Sequence, residues 1–267
     1  MSGFSPAWLT LREPYDQAAR STVVLAAIQE AFAAQPEIVV TDFGCGTGAT
    51  LRALALLLPP RQHWRLVDND EALLAAASDV APAGAETIKL DLAQQLETAL
   101  DDAGDLVTMS ALLDLVSAPW LDRLVAALVR LDRPLYAALS YDGRVVMAPE
   151  SRHDAIVIAA VNRHQLTDKG FGPALGPGAA EAAAESFRRA GFAVVEDRSD
   201  WRFAAGDREI QMAMIDGWAQ AAGEMGIAPS TLAEWRGARR DYISAGRSTM
   251  RVGHIDFFAR PASMLRR

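Results

Sequence analysis

The sequence predicts an α/β protein with a doubly wound, mostly parallel sheet. Short apolar runs typical of buried strands alternate with amphipathic helical stretches through residues 36–141, and this alternation is typical of βαβ units. The first apolar run leads directly into a glycine-rich turn, whose tight backbone suits a nucleotide-type ligand. The chain of 267 residues is long enough for one sizeable core with insertions. We therefore expect a single domain over residues 1–267.

Residues 1–35 precede the predicted nucleotide fold. A helix is predicted from about residue 16 to residue 32, because Ala19, Val23 and Ala27 recur at helical spacing. This helix lies outside the alternating pattern of the core. We expect the segment to form an N-terminal cover over the ligand, followed by a ligand-binding core over residues 36–141.

The first strand ends in the most informative segment of the chain, Asp42-Phe43-Gly44-Cys45-Gly46-Thr47-Gly48. A helix is expected from residue 49 to about residue 58, with its N-terminus directed at the ligand. The same letters satisfy the dinucleotide fingerprint Gly-x-Gly-x-x-Ala through Gly44, Gly46 and Ala49. However, the Asp42 carboxylate would repel a pyrophosphate and attract an amino group. S-adenosylmethionine carries an α-amino group and a sulfonium but no phosphate, so the turn favours this cofactor over NAD.

The pattern Asp-x-Gly-x-Gly-x-Gly resembles the first motif of the class I S-adenosylmethionine-dependent methyltransferases, and further motifs follow in the family's order. A second strand over residues 64–67 ends at Asp68, where the resemblance implies a ligand of both ribose hydroxyls. A third strand leads to Asp91, which the resemblance places beside the adenine amino group. A fourth strand runs into Ser110, beside the methionine moiety and the acceptor. Taken singly, these carboxylates are also typical of strand ends and helix caps; their joint order supports the resemblance.

The resemblance therefore implies a set of cofactor-binding residues at the carboxyl edge of the sheet. They are Arg12, Asp42, Gly44, Cys45, Gly46, Gly48, Asp68, Asn69, Asp91, Leu92 and Ser110. Arg12 would come from the N-terminal cover and pair with the carboxylate of the cofactor. Its alternative partner is the neighbouring Glu13.

The elements after the fourth strand continue the alternation. A helix is opened by Pro119, and a fifth strand is expected over residues 135–141. A further helix over residues 179–190 precedes a sixth strand at residues 192–196. The closing run over residues 252–259 is similar to the antiparallel last strand of the family. The resemblance thus implies seven strands, mostly parallel, with an antiparallel last strand.

Two insertions interrupt the plain pattern, over residues 142–177 after strand five and over residues 206–249 after strand six. The first holds a helix opened by Ser151-x-x-Asp154, which resembles a capping box, and then a glycine- and proline-rich stretch. The second holds two helices whose aromatic and methionine residues have the spacing of a core face. Insertions at the carboxyl edge of such a sheet build substrate pockets. We therefore expect both to form a substrate cap.

Three residues are candidates for catalysis. His164 directly precedes the glycine- and proline-rich stretch, and histidine is the side chain best matched to proton transfer at neutral pH; the alternative is a histidine packed on its helix face. Asp114 follows the fourth strand and would border the acceptor, or else cap the next helix. Tyr141 ends the fifth strand. His254 lies in the closing strand, where a structural role is expected.

Arg163 and Lys169 flank His164 and are candidates for binding an anionic group of the acceptor. The alternative is that both are surface charges of an inserted helix. The sequence shows no compact set of metal-ligating residues at the expected edge, so a metal-dependent mechanism is not expected.

Composition narrows the class of partner. The formal net charge of −8 argues against a broad basic surface for nucleic acid. The single cysteine, Cys45, permits no intramolecular disulfide and suits the cytoplasm. No apolar run reaches the roughly 20 residues of a membrane span. We expect a cytoplasmic monomer or homodimer that binds a small-molecule acceptor, and neither nucleic acid nor membrane.

The combined prediction is an S-adenosylmethionine-dependent methyltransferase that transfers a methyl group to a small molecule by in-line displacement. The acceptor and the methylated atom stay open. The alternatives are a methyltransferase acting on protein or tRNA, an NAD(P)-dependent oxidoreductase, and a protein that binds the cofactor without catalysis.

Overall fold

A computed structural model describes residues 5–266 of the chain, and in it one sheet of eight strands forms the centre of the fold. The strand order is β3-β2-β1-β4-β5-β8-β6, and β7 pairs with β8 beside this path. The pairs among β1 to β5 are parallel, whereas β8 runs antiparallel to its three partners. The predicted doubly wound, mostly parallel sheet is confirmed. The strand number is eight rather than the predicted seven.

Seven of the eight strands overlap their predicted positions, and β7 is additional. The eight strands are β1 (Glu37–Phe43), β2 (Arg61–Asp68), β3 (Glu86–Lys89), β4 (Leu106–Ser110), β5 (Leu135–Ala148), β6 (Ala193–Arg198), β7 (Trp201–Phe203) and β8 (Thr249–Arg260).

Ten α-helices accompany the strands in residues 5–266. They are α1 (Pro6–Ala19), α2 (Thr22–Phe32), α3 (Ala49–Leu54), α4 (Glu71–Val80), α5 (Leu96–Leu100), α6 (Ala118–Leu131), α7 (Asp154–His164), α8 (Ala179–Arg189), α9 (Arg208–Glu224) and α10 (Pro229–Ser244). None of the helices in the described part of the chain is long and apolar enough to cross a membrane.

The additional strand, β7, is only three residues long, which is too short for an alternating pattern to stand out in the sequence. It forms because Trp201 and Phe203 are buried and pair with the first half of β8. β5 also continues to Ala148, past the predicted end at Tyr141, because its second half pairs with the same part of β8. The first predicted insertion therefore begins as a strand.

The N-terminal cover consists of two helices rather than the one predicted. The chain leaves α1 at Arg20, whose ψ of 133° is extended. Ser21 then caps α2, because its side-chain oxygen accepts a hydrogen bond from the backbone N–H of Val24 at 3.2 Å. The break changes the direction of the chain, so α1 and α2 have different neighbours.

Three apolar clusters hold the elements together. One face of the sheet packs against α5, α6 and α8, and the opposite face packs against α2, α3 and α4, as a doubly wound sheet requires. A third cluster joins the inserted helices α7, α9 and α10 to β7 and the adjoining parts of β5 and β8. The inserted helices thus stand next to the sheet rather than on either main face.

A buried polar network connects the helix junction to the sheet. Arg20 donates to the Tyr136 hydroxyl at 3.0 Å and to Ser110 Oγ at 3.1 Å. Tyr136 donates in turn to Asp256 Oδ2 at 3.2 Å. Asp256 also accepts from the backbone N–H groups of Ser21 and Leu139, at 3.0 and 2.7 Å. Asp256 is fully buried, so the Tyr136 hydroxyl and the two backbone N–H groups depend on it directly, and Arg20 is connected to it through Tyr136.

We expect Asp256→Ala to lower the free energy of unfolding by about 3–5 kcal/mol, because it leaves the buried Tyr136 hydroxyl and two buried N–H groups without their acceptor and removes a negative charge near the buried Arg20. Glu185→Ala is the control, since Glu185 is an exposed residue with one weak surface contact to Arg189 at 3.8 Å; its effect should stay within about 0.5 kcal/mol. Urea unfolding followed by circular dichroism measures both. A loss below about 1 kcal/mol for Asp256→Ala would contradict the role given to the network.

Candidate functional site

A cavity of about 330 Å³ opens where β1, β2 and β4 end. Its walls are the glycine turn after β1, the segments that follow β2, β3 and β4, and helix α1. The carboxyl edge of a parallel sheet is where ligands of this fold class bind. We call this space the cofactor cavity.

Most of the sequence-predicted cofactor residues meet at this cavity. Its lining includes Arg12, Gly44, Cys45, Gly46, Asp68, Asn69, Asp91, Leu92 and Ser110. Asp42 and Gly48 are absent from the lining.

The glycine turn has the backbone that its sequence predicts. Gly44, Gly46 and Gly48 have φ values of 63°, 54° and 83°, a left-handed region that residues with a Cβ adopt at a cost. At Gly46 a Cβ atom would lie 3.3 Å from Leu9 Cδ1 of helix α1. The turn therefore lets α1 lie close to the cavity. Gly48 is the N-cap of α3, which explains its place outside the lining.

Asp68 bridges two loops at the cavity. Its Oδ2 accepts from the backbone N–H of Gly46 at 2.9 Å, and its Oδ1 accepts from that of Asp70 at 3.1 Å. The carboxylate thus holds the glycine turn against the segment after β2. It also lines the cavity, so structural and ligand-binding roles coexist in one side chain.

Asp42 does not line the cofactor cavity, where the sequence argument placed it. It is fully buried in β1, where the Thr108 hydroxyl donates to its Oδ1 at 2.7 Å. Burial raises the pKa of Asp42 to about 7, and the hydrogen bond from Thr108 opposes this rise. Asp42 belongs to the sheet beneath the glycine turn. Its charge would therefore attract the amino group of a ligand through the turn and not by direct contact.

The guanidinium of Arg12 reaches the cavity but already has a partner. It donates to both carboxylate oxygens of Asp16, at 2.9 and 3.1 Å. It also lies 4.9 Å from the centre of the Trp201 ring, and Trp201 Nε1 donates to Asp16 at 2.9 Å. Glu13, the alternative partner, pairs with Arg52 at 2.6 Å instead. The two acidic residues of α1, Glu13 and Asp16, thus bind the helix to Arg52 and Trp201.

A second cavity of about 850 Å³ adjoins the first. The two share wall residues that include Arg12, Ala111, Leu115 and Lys169. Helices α1, α7 and α9 contribute side chains to the second cavity, and so do β5, β7 and β8. Residues of both predicted insertions therefore border it. We call this space the acceptor cavity.

The structure brings four of the predicted substrate-side residues together. Asp114, Tyr141, His164 and Lys169 all line the acceptor cavity. Arg163 does not: its side chain is exposed, and Nη1 makes a long contact of 3.4 Å with the Ala159 carbonyl in the preceding turn of α7. The helical period explains the difference, because adjacent residues of a helix do not share a face.

His164 and Lys169 belong to one hydrogen-bonded chain. The Lys169 ammonium contacts His164 Nδ1 at 3.2 Å and donates to Thr167 Oγ1 at 3.0 Å. The other ring nitrogen of His164, Nε2, contacts Glu224 Oε2 of α9 at 2.9 Å. Both nitrogens of His164 are therefore engaged. Lys169 is buried, which lowers its pKa, and it is one of the residues that line both cavities.

Asp114 and His254 present buried polar atoms at the acceptor cavity. Asp114 Oδ1 and His254 Nδ1 have no hydrogen-bond partner among the described residues. Burial raises the pKa of Asp114 to about 6 and lowers the pKa of His254 to about 3. At neutral pH Asp114 is accordingly mainly a carboxylate and His254 a neutral imidazole.

The expectation that His254 is purely structural missed its place in the cavity wall. His254 pairs with Tyr141 in the β5–β8 register, and its ring lies 4.7 Å from that of Trp201. The strand itself was predicted. The sequence did not show which strand would pair with it. β8 pairs with β5, and this pairing places His254 beside Tyr141, a predicted catalytic residue.

Comparisons with known proteins agree with this geometry. Residues 40–134, from β1 to the end of the segment before β5, match the family model of a methyltransferase domain. No curated protein matches the chain at a significant level.

Two solved structures share the fold. A presumed methyltransferase from Bacillus halodurans is 17% identical, with 89% of this chain and 99% of that chain covered and a TM-score of 0.52. A cyclopropane-fatty-acyl-phospholipid synthase-like protein from Lactobacillus casei is 14% identical, with 96% and 94% covered and a TM-score of 0.54. The chain therefore has a methyltransferase-like fold, and its residues 40–134 match a methyltransferase domain.

Proposed function

We propose that the protein transfers a methyl group from S-adenosylmethionine, bound in the cofactor cavity, to a small molecule that binds in the acceptor cavity. The observation that supports this is the direct junction of the two cavities: they share Ala111, Leu115 and Lys169 as wall residues. A volume of about 850 Å³ is within the range of small-molecule sites. The wall combines aromatic rings with a few polar groups, which is typical of a site that orients one organic molecule.

A macromolecular acceptor is the competing function. A net charge of −8 disfavours the phosphate backbone of tRNA. A protein acceptor would have to bring a side chain past α1, α7 and α9, which all contribute to the cavity wall. A free small molecule needs no such extended approach, and the insertions then act as its cap.

Within the cofactor cavity we assign roles by position. Bound S-adenosylmethionine supplies an electrophilic methyl group on its sulfonium. Asp68 would accept the ribose hydroxyls, with Asp91 and Leu92 beside the adenine. Gly44, Gly46 and Ser110 would lie along the methionine portion of the cofactor. All of these line the cavity, and a Cβ atom at Gly46 would lie in tight contact with Leu9, at 3.3 Å from Cδ1, in a backbone conformation that favours glycine.

The chain's own contribution to transfer is alignment and exclusion of water. Leu115 and Phe171 border both cavities, and Leu112 borders the cofactor cavity. The Glu224–His164–Lys169 chain fixes the Lys169 ammonium at the junction. In this arrangement His164 positions Lys169 rather than acting as a base, because neither of its ring nitrogens is free.

Transfer to small molecules can be tested before the acceptor is known. The protein is incubated with S-adenosylmethionine labelled in its methyl group and with a cell extract separated into metabolite, protein and RNA fractions. We expect label to enter a compound of the metabolite fraction. Label in protein or RNA alone would overturn the small-molecule acceptor, and no transfer to any fraction would favour a non-catalytic role.

We expect Asp68→Ala to weaken S-adenosylhomocysteine binding by roughly 1.5–3 kcal/mol, the usual loss for hydrogen bonds to a charged group. Asp105→Ala is the matched control, because Asp105 also accepts from a backbone N–H, that of Val39 at 2.9 Å, but lies before β4 at the opposite edge of the sheet. Both variants should lose some thermal stability. Calorimetric titration should show weaker binding only for Asp68→Ala; equal affinities would make Asp68 a purely structural residue.

His164→Ala should lower transfer by roughly tenfold and leave S-adenosylhomocysteine affinity within about two- to threefold, because the change releases Lys169 without touching the cofactor. Glu224→Gln keeps an oxygen that can accept a hydrogen bond from His164, so its transfer rate should fall less than that of His164→Ala. Initial rates with labelled cofactor measure each variant. If Lys169→Met were fully active while His164→Ala lost activity, His164 would act on the acceptor directly.

A further inference from the structure

In addition to Phe171 of the segment after α7, four aromatic side chains from helices and strands line the acceptor cavity and indicate the shape of the acceptor. They are Trp8, Tyr141, Trp201 and Trp218, from α1, β5, β7 and α9. The Trp8 and Trp201 rings meet edge to face with centroids 6.5 Å apart. Aromatic rings from four separate elements give a flat ligand faces and edges to pack against. The Trp201 face is already used by the Arg12 guanidinium, so a cationic ligand would meet a like charge there.

The polar atoms on the same wall indicate what the ligand must supply. Asp114 is buried, lines the cavity and has an oxygen with no partner among the described residues. Buried polar groups are nearly always hydrogen-bonded, and a carboxylate can only accept. A ligand that completes this site must therefore bring a hydrogen-bond donor to Asp114.

Asp114 is also the wall residue best suited to take a proton. His164 has both nitrogens engaged, and burial raises the pKa of the Tyr141 phenol, which stays neutral. Burial lowers the pKa of His254 to about 3, so a proton on its ring would be strongly disfavoured. Asp114, with its pKa raised to about 6, is ionised at neutral pH and still basic enough to accept a proton.

The charged and titratable groups around Asp114 keep it available. Arg12 of α1 and Lys169 of the segment after α7 each oppose the rise in its pKa. Tyr141 of β5 and His254 of β8 are neutral, and no cation lies within salt-bridge distance of the carboxylate in residues 5–266. Asp114 belongs to the short turn after β4, and its neighbours Leu112 and Leu115 border the cofactor cavity.

Resting on the proposed function, we propose that the acceptor is an aromatic compound with a ring hydroxyl, and that the Asp114 carboxylate takes the hydroxyl proton during transfer. The acceptor oxygen forms a bond to the methyl carbon as the bond between that carbon and sulfur breaks. S-adenosylhomocysteine and an aryl methyl ether are the products. The proton resides on Asp114 and passes to solvent when the products leave.

The first experiment examines the product. The labelled compound formed from the metabolite fraction is purified, treated with mild alkali and analysed by mass spectrometry. An aryl methyl ether keeps its label in alkali, whereas a methyl ester releases labelled methanol. A labelled amine, thioether, ester or carbon-methylated compound would overturn this inference while leaving a small-molecule methyltransferase in place. Absence of any labelled metabolite would overturn both proposals.

The second experiment examines Asp114 with the same extract or with the phenol so identified. Asp114→Asn should lower the rate by about 10²-fold or more, the usual contribution of a general base, and Asp114→Glu should recover part of it. Affinity for S-adenosylhomocysteine should stay within about threefold in both variants. Asp105→Asn, which changes a carboxylate at the opposite edge of the sheet, should keep its rate. Full activity in Asp114→Asn would overturn the role of Asp114.

The pH profile of the unaltered protein gives a test that does not depend on folding of a variant. Because the base acts when deprotonated, kcat/KM should rise about tenfold per pH unit below pH 6 and level off above it. Asp114→Asn should lack this rise. A profile that is flat between pH 5 and 7 in the unaltered protein would contradict proton transfer to Asp114.

Discussion

The site depends on one buried carboxylate, Asp256, which accepts hydrogen bonds from three donor groups. Asp256 in β8 accepts from Ser21 at the start of α2, from Tyr136 of β5 and from the backbone of Leu139. Leu139 has a φ of 54°, which is unfavourable for a leucine and costs roughly 1–3 kcal/mol. The strong hydrogen bond to Asp256 offsets this cost. The result is a shift in the β5–β8 register between Ala137 and Ser140.

That local distortion connects the fold to the cavities. After the register shift, β5 continues as Ser140 and Tyr141, and Tyr141 pairs with His254 at the acceptor cavity. The same network holds Arg20 against Ser110, the last residue of β4. Because Arg20 directly follows α1, this contact ties the cover helix to the sheet edge where both cavities open. A single buried carboxylate thus relates the cover, the cofactor side and the acceptor side.

The two cavities differ in how their walls are built. The cofactor cavity relies on backbone: a glycine turn, short loops and the Asp68 carboxylate that joins them. The acceptor cavity relies on side chains that arrive from five or more separate elements, with aromatic rings predominating. Backbone geometry is set by local residues, whereas a wall of side chains depends on how distant elements pack. The shared residue Lys169 links the two, held by the Glu224–His164 pair of the insertions.

The sequence by itself determined the parts of this protein that local physics controls. Strand–helix alternation, the positive-φ glycines at 44, 46 and 48, and the carboxylate at the end of β2 follow from short-range pattern and backbone sterics, and the structure contains them. Tertiary structure decided the rest. Asp42 is a carboxylate in the expected place, yet the pleat of β1 buries it against Thr108, and Arg163 lies on the exposed side of α7. His254 acquired a place in the cavity through its pairing with β5, and β7 formed because two aromatic residues could be buried against β8. Each depends on contacts between residues far apart in the chain, which no local pattern encodes.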